Sequence, residues 1–200
     1  MNRHASLLSA LRALRDDARA TAIVETALIL PIALTMFALL IYGAQAFDIQ
    51  RKVTLTTRTV TDLITQATPT QITSGASIVS KATIDQYLQV SSAVLTPFSA
   101  SNLTMVVSEV VVNSDQVHAT VKWSEPYNGG TARVLSSQIT LPTGLGTGQA
   151  GTYFVLGEVS YNYVPLNIFT SVSAMTLHDS IYLTPRQSTS ITCTDCATHM

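Results

Sequence analysis

The chain has 200 residues, of which 46% are hydrophobic and only 12% are charged, and its formal net charge is −1. A soluble domain usually carries about a quarter charged residues, so this composition disfavours a cytosolic protein, and the near-neutral balance gives no general attraction to nucleic acid. The length allows one domain with a modest core together with an anchoring segment.

The first predicted element is an apolar segment from Thr26 to Phe47, which contains no formally charged residue. As a helix it would span roughly 33 Å at about 1.5 Å per residue, enough for the hydrocarbon core of a bilayer. Four arginines precede it: Arg3, Arg12, Arg15 and Arg19. Because Lys and Arg favour the cytoplasmic side, residues 1–20 are expected to form a basic cytoplasmic leader, with the rest of the chain across the membrane.

A single carboxylate, Glu25, stands at the start of this segment, where an ionised group at the edge of hydrocarbon is unfavourable. One interpretation is an uncleaved single-pass anchor. A second is a secretory signal peptide cut after Ala46, since residues 44–46 fit the A-x-A pattern, although the apolar core exceeds the usual 7–15 residues.

The third interpretation is a pilin-type leader that is removed between Ala20 and Thr21. Glu25 would then be the fifth residue, one helical turn from the new amine of Thr21 and on the same face. In an assembly, the carboxylate could pair with the amine of a neighbouring subunit, which would offset the cost of holding both charges near lipid. We favour this interpretation because it gives Glu25 a partner.

Helical periodicity continues beyond the apolar segment. Residues of one face recur at spacings of three and four, namely Ile49, Val53, Thr56, Val60, Leu63 or Ile64, and Ala67. We therefore predict one helix from about Ala20 to about Gln66. Its outer part is rich in Thr, a weak helix former, so it needs a packing partner. The partner is either the chain's own sheet, which we favour, or neighbouring helices in a bundle.

The remainder is predicted to be a small α+β body built on an antiparallel sheet. The predicted elements are a break at 68–77, a short helix at 78–90, a hairpin around the polar turn 113–115, a flexible loop at 141–151, and late strands at 152–165 and 179–186. In the second hairpin strand, period two places one set of side chains on a common face: Val117, Ala119, Val121 and Trp123.

Several stretches match a known pattern. The N-terminal matches are Val24-Glu25, Leu30-Pro31 and Gly43, and the later matches are residues 121–130, Val159, Tyr161, Tyr163, Pro165, Tyr182, Pro185 and Arg186. On these residues the chain resembles the TadE-like family, membrane proteins of tight-adherence (Tad/Flp, type IVc) pilus systems. The matches extend from about Arg19 to Arg186. Ala20 stands where the family usually has Gly before the cut.

The resemblance implies a minor pilin or pilus-assembly component in the bacterial inner membrane, with a cytoplasmic N-terminus and a periplasmic or extracellular body. It implies cleavage by a prepilin peptidase between Ala20 and Thr21, with Glu25 as the assembly carboxylate. The implied partners are other pilus subunits and the assembly machinery. The alternatives are an uncleaved periplasmic binding domain and a secreted domain released after Ala46.

We predict no enzymatic activity, cofactor or metal. The four histidines (His4, His118, His178 and His199) have no convergent catalytic partner in the sequence, and the Asp beside His178 would point to the opposite face of a strand. The glycines of 141–151 are not followed by the Lys-Ser/Thr of a phosphate loop.

The motif Cys193-x-x-Cys196 lies outside any βαβ context. We therefore interpret it as a local disulfide in an oxidising compartment rather than a catalytic pair. A metal site would need two further ligands. The aromatic residues Trp123, Tyr153, Tyr161 and Tyr163 are interpreted as core or cross-strand packing.

The predicted class is therefore α+β, with a long N-terminal transmembrane helix that has a pilin-like extension, followed by a small antiparallel sheet domain. The predicted organisation is a leader at 1–20, a membrane helix and stalk at 21–66 with the span at about 26–47, an extracytoplasmic domain at 67–190 and a tail at 191–200.

Overall fold

A computed structural model describes residues 18–66, 71–73, 75–164 and 174–197. Its elements in chain order are α1 (Ala18–Thr65), β1 (Gln71–Thr73), β2 (Ala76–Ile78), α2 (Lys81–Leu95), a 3-10 turn (Ala100–Asn102), β3 (Leu103–Val112), β4 (His118–Tyr127), β5 (Gln138–Thr140), β6 (Tyr153–Tyr163), β7 (Met175–Leu183) and β8 (Ser190–Thr192). A long apolar N-terminal helix followed by an antiparallel sheet confirms the α+β class. The chain divides into two compact units, Met1–Ala46 and Phe47–Met200.

Helix α1 agrees with the predicted helix to within about two residues at each end. Within the second unit, its predicted stripe is buried: Ile49, Val53, Thr56, Val60 and Ile64. Ala67 lies outside the described residues. The buried threonines Thr57 and Thr61 donate their hydroxyls to the carbonyls of Val53 and Thr57, at 2.9 and 2.6 Å. These hydroxyls therefore have partners within the helix, and tertiary packing offsets the weak propensity of threonine.

The outer part of α1 packs on the sheet of its own chain. Thr61 lies so close to Gly157 of β6 that a Cβ added to the glycine would be 1.8 Å from the Thr61 Oγ1 atom. Near the helix end, the Arg186 backbone N–H donates to the Thr65 carbonyl at 3.0 Å, and the Arg186 guanidinium lies 2.5 Å from an Asp62 carboxylate oxygen. The favoured intramolecular partner for the stalk is confirmed by these contacts.

The main sheet of the described part of the chain has the order β5-β4-β3-β6-β7, and all neighbours are antiparallel. Strands β3 and β4 form the predicted hairpin, and β6 is the first predicted late strand. Strand β7 overlaps the second, predicted at 179–186, but begins four residues and ends three residues earlier. Since β3 and β6 have neighbours on both sides, their apolar side chains supply much of the core, including Leu103, Met105, Val107, Val155, Val159 and Tyr161.

A register shift between Glu109 and Val110 changes the predicted face of β4. Glu109 lies opposite Trp123, whereas Val110 lies opposite Val121, so one residue of β4 is extra. Ala119 and Val121 accordingly pack in a cluster with Val110, Val112, Leu141 and Phe154. Trp123 is not part of that cluster, and Val117 precedes the strand and is exposed. The bulge therefore ends the common face predicted from simple alternation.

Residues 141–151 form turns without strand structure, as predicted, but Leu141 and Leu145 pack on this cluster. Helix α2 begins later than predicted because residues 76–78 are instead paired in β2, which leaves Ser80 as the N-cap.

A second, three-stranded sheet of order β1-β2-β8 was not predicted. Each strand has three residues, too few for a periodic signal. Strand β8 pairs in parallel with β2, so residues 191–197, which we assigned to a separate tail, are part of the second unit. Ile191, Cys193 and Cys196 are buried there. The remaining tail residues, 198–200, lie outside the described part of the chain.

Candidate functional site

The most conspicuous surface of the first unit is the apolar part of α1. Large hydrophobic side chains along it are more than half exposed: Ile23, Val24, Leu28, Ile29, Leu30, Ile32, Leu34, Met36, Phe37, Leu39 and Leu40. By length and composition the helix is a candidate membrane span, and a signal sequence near the N-terminus can share these properties. Its exposure distinguishes it from a core helix of a soluble protein.

Glu25 lies on this exposed helix, four residues after Thr21 and therefore about one turn along the same face. The neighbouring Thr26 donates its hydroxyl to the Ala22 carbonyl at 2.8 Å, so this polar side chain has a hydrogen-bond partner within the helix. The predicted cleavage bond between Ala20 and Thr21 lies in the first turn of α1.

Pro31 lies inside α1 without ending it. A proline removes one backbone hydrogen bond and favours a kink, and membrane helices tolerate this comparatively well. The structure therefore places Glu25 and Pro31 in one continuous helix, as predicted.

The second unit contains two buried carboxylates, Glu109 and Glu125, which the sequence analysis did not single out; they are 2% and 1% exposed. Glu109 accepts the backbone N–H of Ile191 at 2.5 Å. Glu125 accepts the backbone N–H of Ala197 at 2.6 Å and the ammonium group of Lys81. Burial raises the pKa of Glu109 to about 8, against the opposing effects of the Ile191 N–H, Trp123 and the Lys122 charge.

Residues 190–197, called here the C-terminal segment, are the shared partner of both carboxylates. The indole N–H of Trp123 donates to the Ile191 carbonyl at 2.5 Å. The Thr192 carbonyl accepts the backbone N–H of Val79 at 2.9 Å, and an Asp195 carboxylate oxygen accepts the N–H of Lys81 at 2.8 Å. The segment is closed by a disulfide between its two cysteines, Cys193 and Cys196.

A cavity of about 360 Å³ lies beside this segment. Its lining combines buried and exposed polar groups with two aromatic rings: Glu109, Lys122, Trp123, Leu135, Tyr153, Ser190, Thr192, Cys193 and Thr194. The aromatic residues for which we predicted packing are buried or half-buried, with Trp123, Tyr161 and Tyr163 below 10% exposure.

The described histidines make local contacts. His118 Nδ1 lies 2.6 Å from an Asp115 oxygen, and the backbone N–H and ring of His118, with the N–H of Val117, hold the pKa of Asp115 at about 2. His178 Nδ1 lies 3.0 Å from the Ser160 hydroxyl. Among the described residues, no group of three or more His, Cys, Asp or Glu side chains is arranged to hold a metal. His4 and His199 lie outside the described ranges.

The sequence contained a signal for both buried carboxylates. Glu109 follows Leu103, Met105 and Val107 at period two, and Glu125 follows Trp123 in the same way. A carboxylate in phase with an apolar face predicts either an exposed strand end or a buried polar contact. Choosing between them requires a partner, and the partner lies far away in sequence.

Comparison of the chain with protein-family models, with curated proteins and with solved structures gave no match.

Proposed function

We propose that this protein is a TadE-like minor pilin or pilus-assembly component, anchored in the bacterial inner membrane by α1 with its second unit in the periplasm or outside the cell. The observation that carries the proposal is the position of Glu25 on an exposed apolar helix, one turn after Thr21. In a permanent anchor this carboxylate has no evident use. In a processed subunit it can pair with a terminal amine.

In the proposed mechanism, a prepilin peptidase cleaves between Ala20 and Thr21. Cleavage removes the arginines of the leader, which hold the chain at the cytoplasmic surface. The helix can then leave the bilayer and pack against the helices of other pilus subunits, with Glu25 paired to a neighbour's amine in a low-dielectric environment. The work of the protein is packing and assembly, without chemical catalysis.

The first test is the intact mass and N-terminal sequence of the protein extracted from native membranes. A chain beginning at Thr21 supports the proposal. A chain that retains Met1 and the leader contradicts processing and favours the uncleaved periplasmic domain. A chain beginning at Phe47 contradicts both and indicates a secreted domain released after Ala46.

The second test replaces the carboxylate. We expect Glu25→Ala and Glu25→Gln to abolish or strongly reduce pilus assembly, measured as sheared surface filaments, while membrane insertion remains normal. The matched control is Asp48→Ala, which removes an exposed carboxylate from the same helix beyond the other end of the apolar segment. Normal assembly in the Glu25 variants would refute the proposed role.

A further inference from the structure

The C-terminal segment is attached to the second unit partly by Ile191 and Thr192, which precede its disulfide ring, and partly by the ring and the residue after it. Strand β8 is only three residues long, and a pairing this short contributes little stability alone. The next contacts come from the ring and the residue after it: Asp195 accepts the Lys81 N–H, and the Ala197 N–H donates to Glu125. Because the disulfide closes the four residues 193–196, it fixes the backbone that aligns these groups.

Both buried carboxylates depend on this segment. If the segment leaves, Glu109 loses the Ile191 N–H and the Trp123 indole loses the Ile191 carbonyl. Glu125 loses the hydrogen bond from the Ala197 N–H and retains its contact with the Lys81 ammonium group. Buried polar groups without partners are unfavourable, so water must reach Glu109, Trp123 and Glu125 once the segment is released.

We propose that the Cys193–Cys196 disulfide is a redox latch, a site of thiol–disulfide exchange with a dithiol that controls whether the C-terminal segment covers Glu109, Trp123 and Glu125. When the disulfide is oxidised, the ring holds the segment against these groups. When the disulfide is reduced, the segment separates and Glu109, Trp123 and Glu125 become accessible to solvent. The closed form of the second unit is therefore tied to an oxidising compartment. The proposal rests on these contacts and does not require the pilus role.

We assign the attack to Cys193, which is 2% exposed in the closed form, so exchange requires a transient opening of the segment. Cys193 lines the cavity beside the segment, whereas Cys196 is not among its lining residues. A thiolate of the dithiol attacks Cys193 Sγ, the disulfide breaks, and Cys196 leaves as a thiolate that takes up a proton. The second thiol of the dithiol then attacks the mixed disulfide and releases Cys193 as a thiol. The dithiol is oxidised to its disulfide by two electrons, and the protein gains two hydrogens.

The test compares the oxidised full chain in detergent micelles with the same protein reduced by dithiothreitol. Reduction is verified by alkylation of two thiols, since the chain has only two cysteines. Amide hydrogen exchange is followed by mass spectrometry. We expect exchange in 190–197 to accelerate on the order of twentyfold, the factor that loop-closure entropy assigns to a ring of this size, while β3 and β6 remain protected.

The matched control is the double variant Cys193→Ser/Cys196→Ser, in which the latch cannot close. It should show fast exchange in 190–197 from the start and no further change with dithiothreitol. The experiment on the reduced wild-type chain needs no substitution, so it remains decisive if the variant does not fold. Unchanged exchange in 190–197 after complete reduction would overturn the proposal, as would an equal loss of protection in β3 and β6.

Discussion

Because α1 contacts the sheet closely at Gly157, we predict that a larger residue at this position destabilises the protein. Gly157→Ala adds a Cβ that would lie 1.8 Å from Thr61 Oγ1, 3.1 Å from its Cβ and 3.3 Å from its Cγ2. Thr61 is fully buried and its hydroxyl is bonded to the Thr57 carbonyl at 2.6 Å. The side chain therefore cannot move away without breaking that bond, and the helix must shift by roughly 1 Å or more to restore an ordinary contact distance.

The expected destabilisation is about 2–4 kcal/mol. Overpacking a well-packed core typically costs about 1–3 kcal/mol, and loss of the Thr61 hydrogen bond adds about 1 kcal/mol. Alanine is otherwise a better strand residue than glycine, so without this contact the substitution would be neutral or stabilising. A loss of stability in Gly157→Ala would therefore report the close contact between residue 157 and Thr61.

The assay is urea unfolding of the full chain in detergent micelles, followed by the fluorescence of Trp123. This residue is the only tryptophan in the chain and is 2% exposed, so its emission reports the integrity of the second unit. The matched control is Thr61→Ala, alone and combined with Gly157→Ala. Because Thr61→Ala removes the two atoms Oγ1 and Cγ2, the double variant should recover about 1–2 kcal/mol relative to the sum of the single effects.

Two results would refute this reasoning. The first is a Gly157→Ala chain whose unfolding free energy lies within about 0.5 kcal/mol of the wild type. The second is a double variant whose destabilisation equals the sum of the two single effects, because additivity would mean that residues 61 and 157 do not interact.

Two further predictions use the same assay. The pKa of Glu109 is about 8 in the folded chain against an ordinary 4.5. Between these two pH values the folded chain keeps the proton while the unfolded chain releases it, so the stability of the fold falls as pH rises. The free energy of unfolding of the wild type should fall by on the order of 3 kcal/mol between about pH 5 and pH 8. The same free energy should change less with pH in Glu109→Gln, and an equal pH dependence in both proteins would contradict the raised pKa of Glu109. Leu88 of α2 is fully buried, so Leu88→Ala should lower the free energy of unfolding by about 2–5 kcal/mol. Leu55 of α1 is 44% exposed, so Leu55→Ala should lower it by less than about 1 kcal/mol; equal losses would refute the burial of Leu88.

Features with a local signal were predictable from the sequence. The extent of α1 follows from an apolar segment joined to a stripe at spacings of three and four, and both signals need only neighbouring residues. The β3–β4 hairpin follows from alternation around a polar turn. The position of Glu25 relative to Thr21 is likewise fixed by helical geometry, and the proposed function depends on that relation.

The hydrogen-bond partners of the buried polar groups in the second unit were determined by the tertiary structure alone. Glu109 finds the Ile191 N–H 82 residues later in the chain, and Glu125 finds that of Ala197 at a separation of 72. A buried carboxylate is tolerated only where such partners meet it, and no local pattern specifies a partner at that distance. The bulge in β4 and the pairing of β8 with β2 have the same origin, because strand register is set by the neighbouring strands. The sequence thus determined the helix and the hairpin through local periodicity, whereas the attachment of the C-terminal segment depended on hydrogen bonds formed only when distant strands pack together.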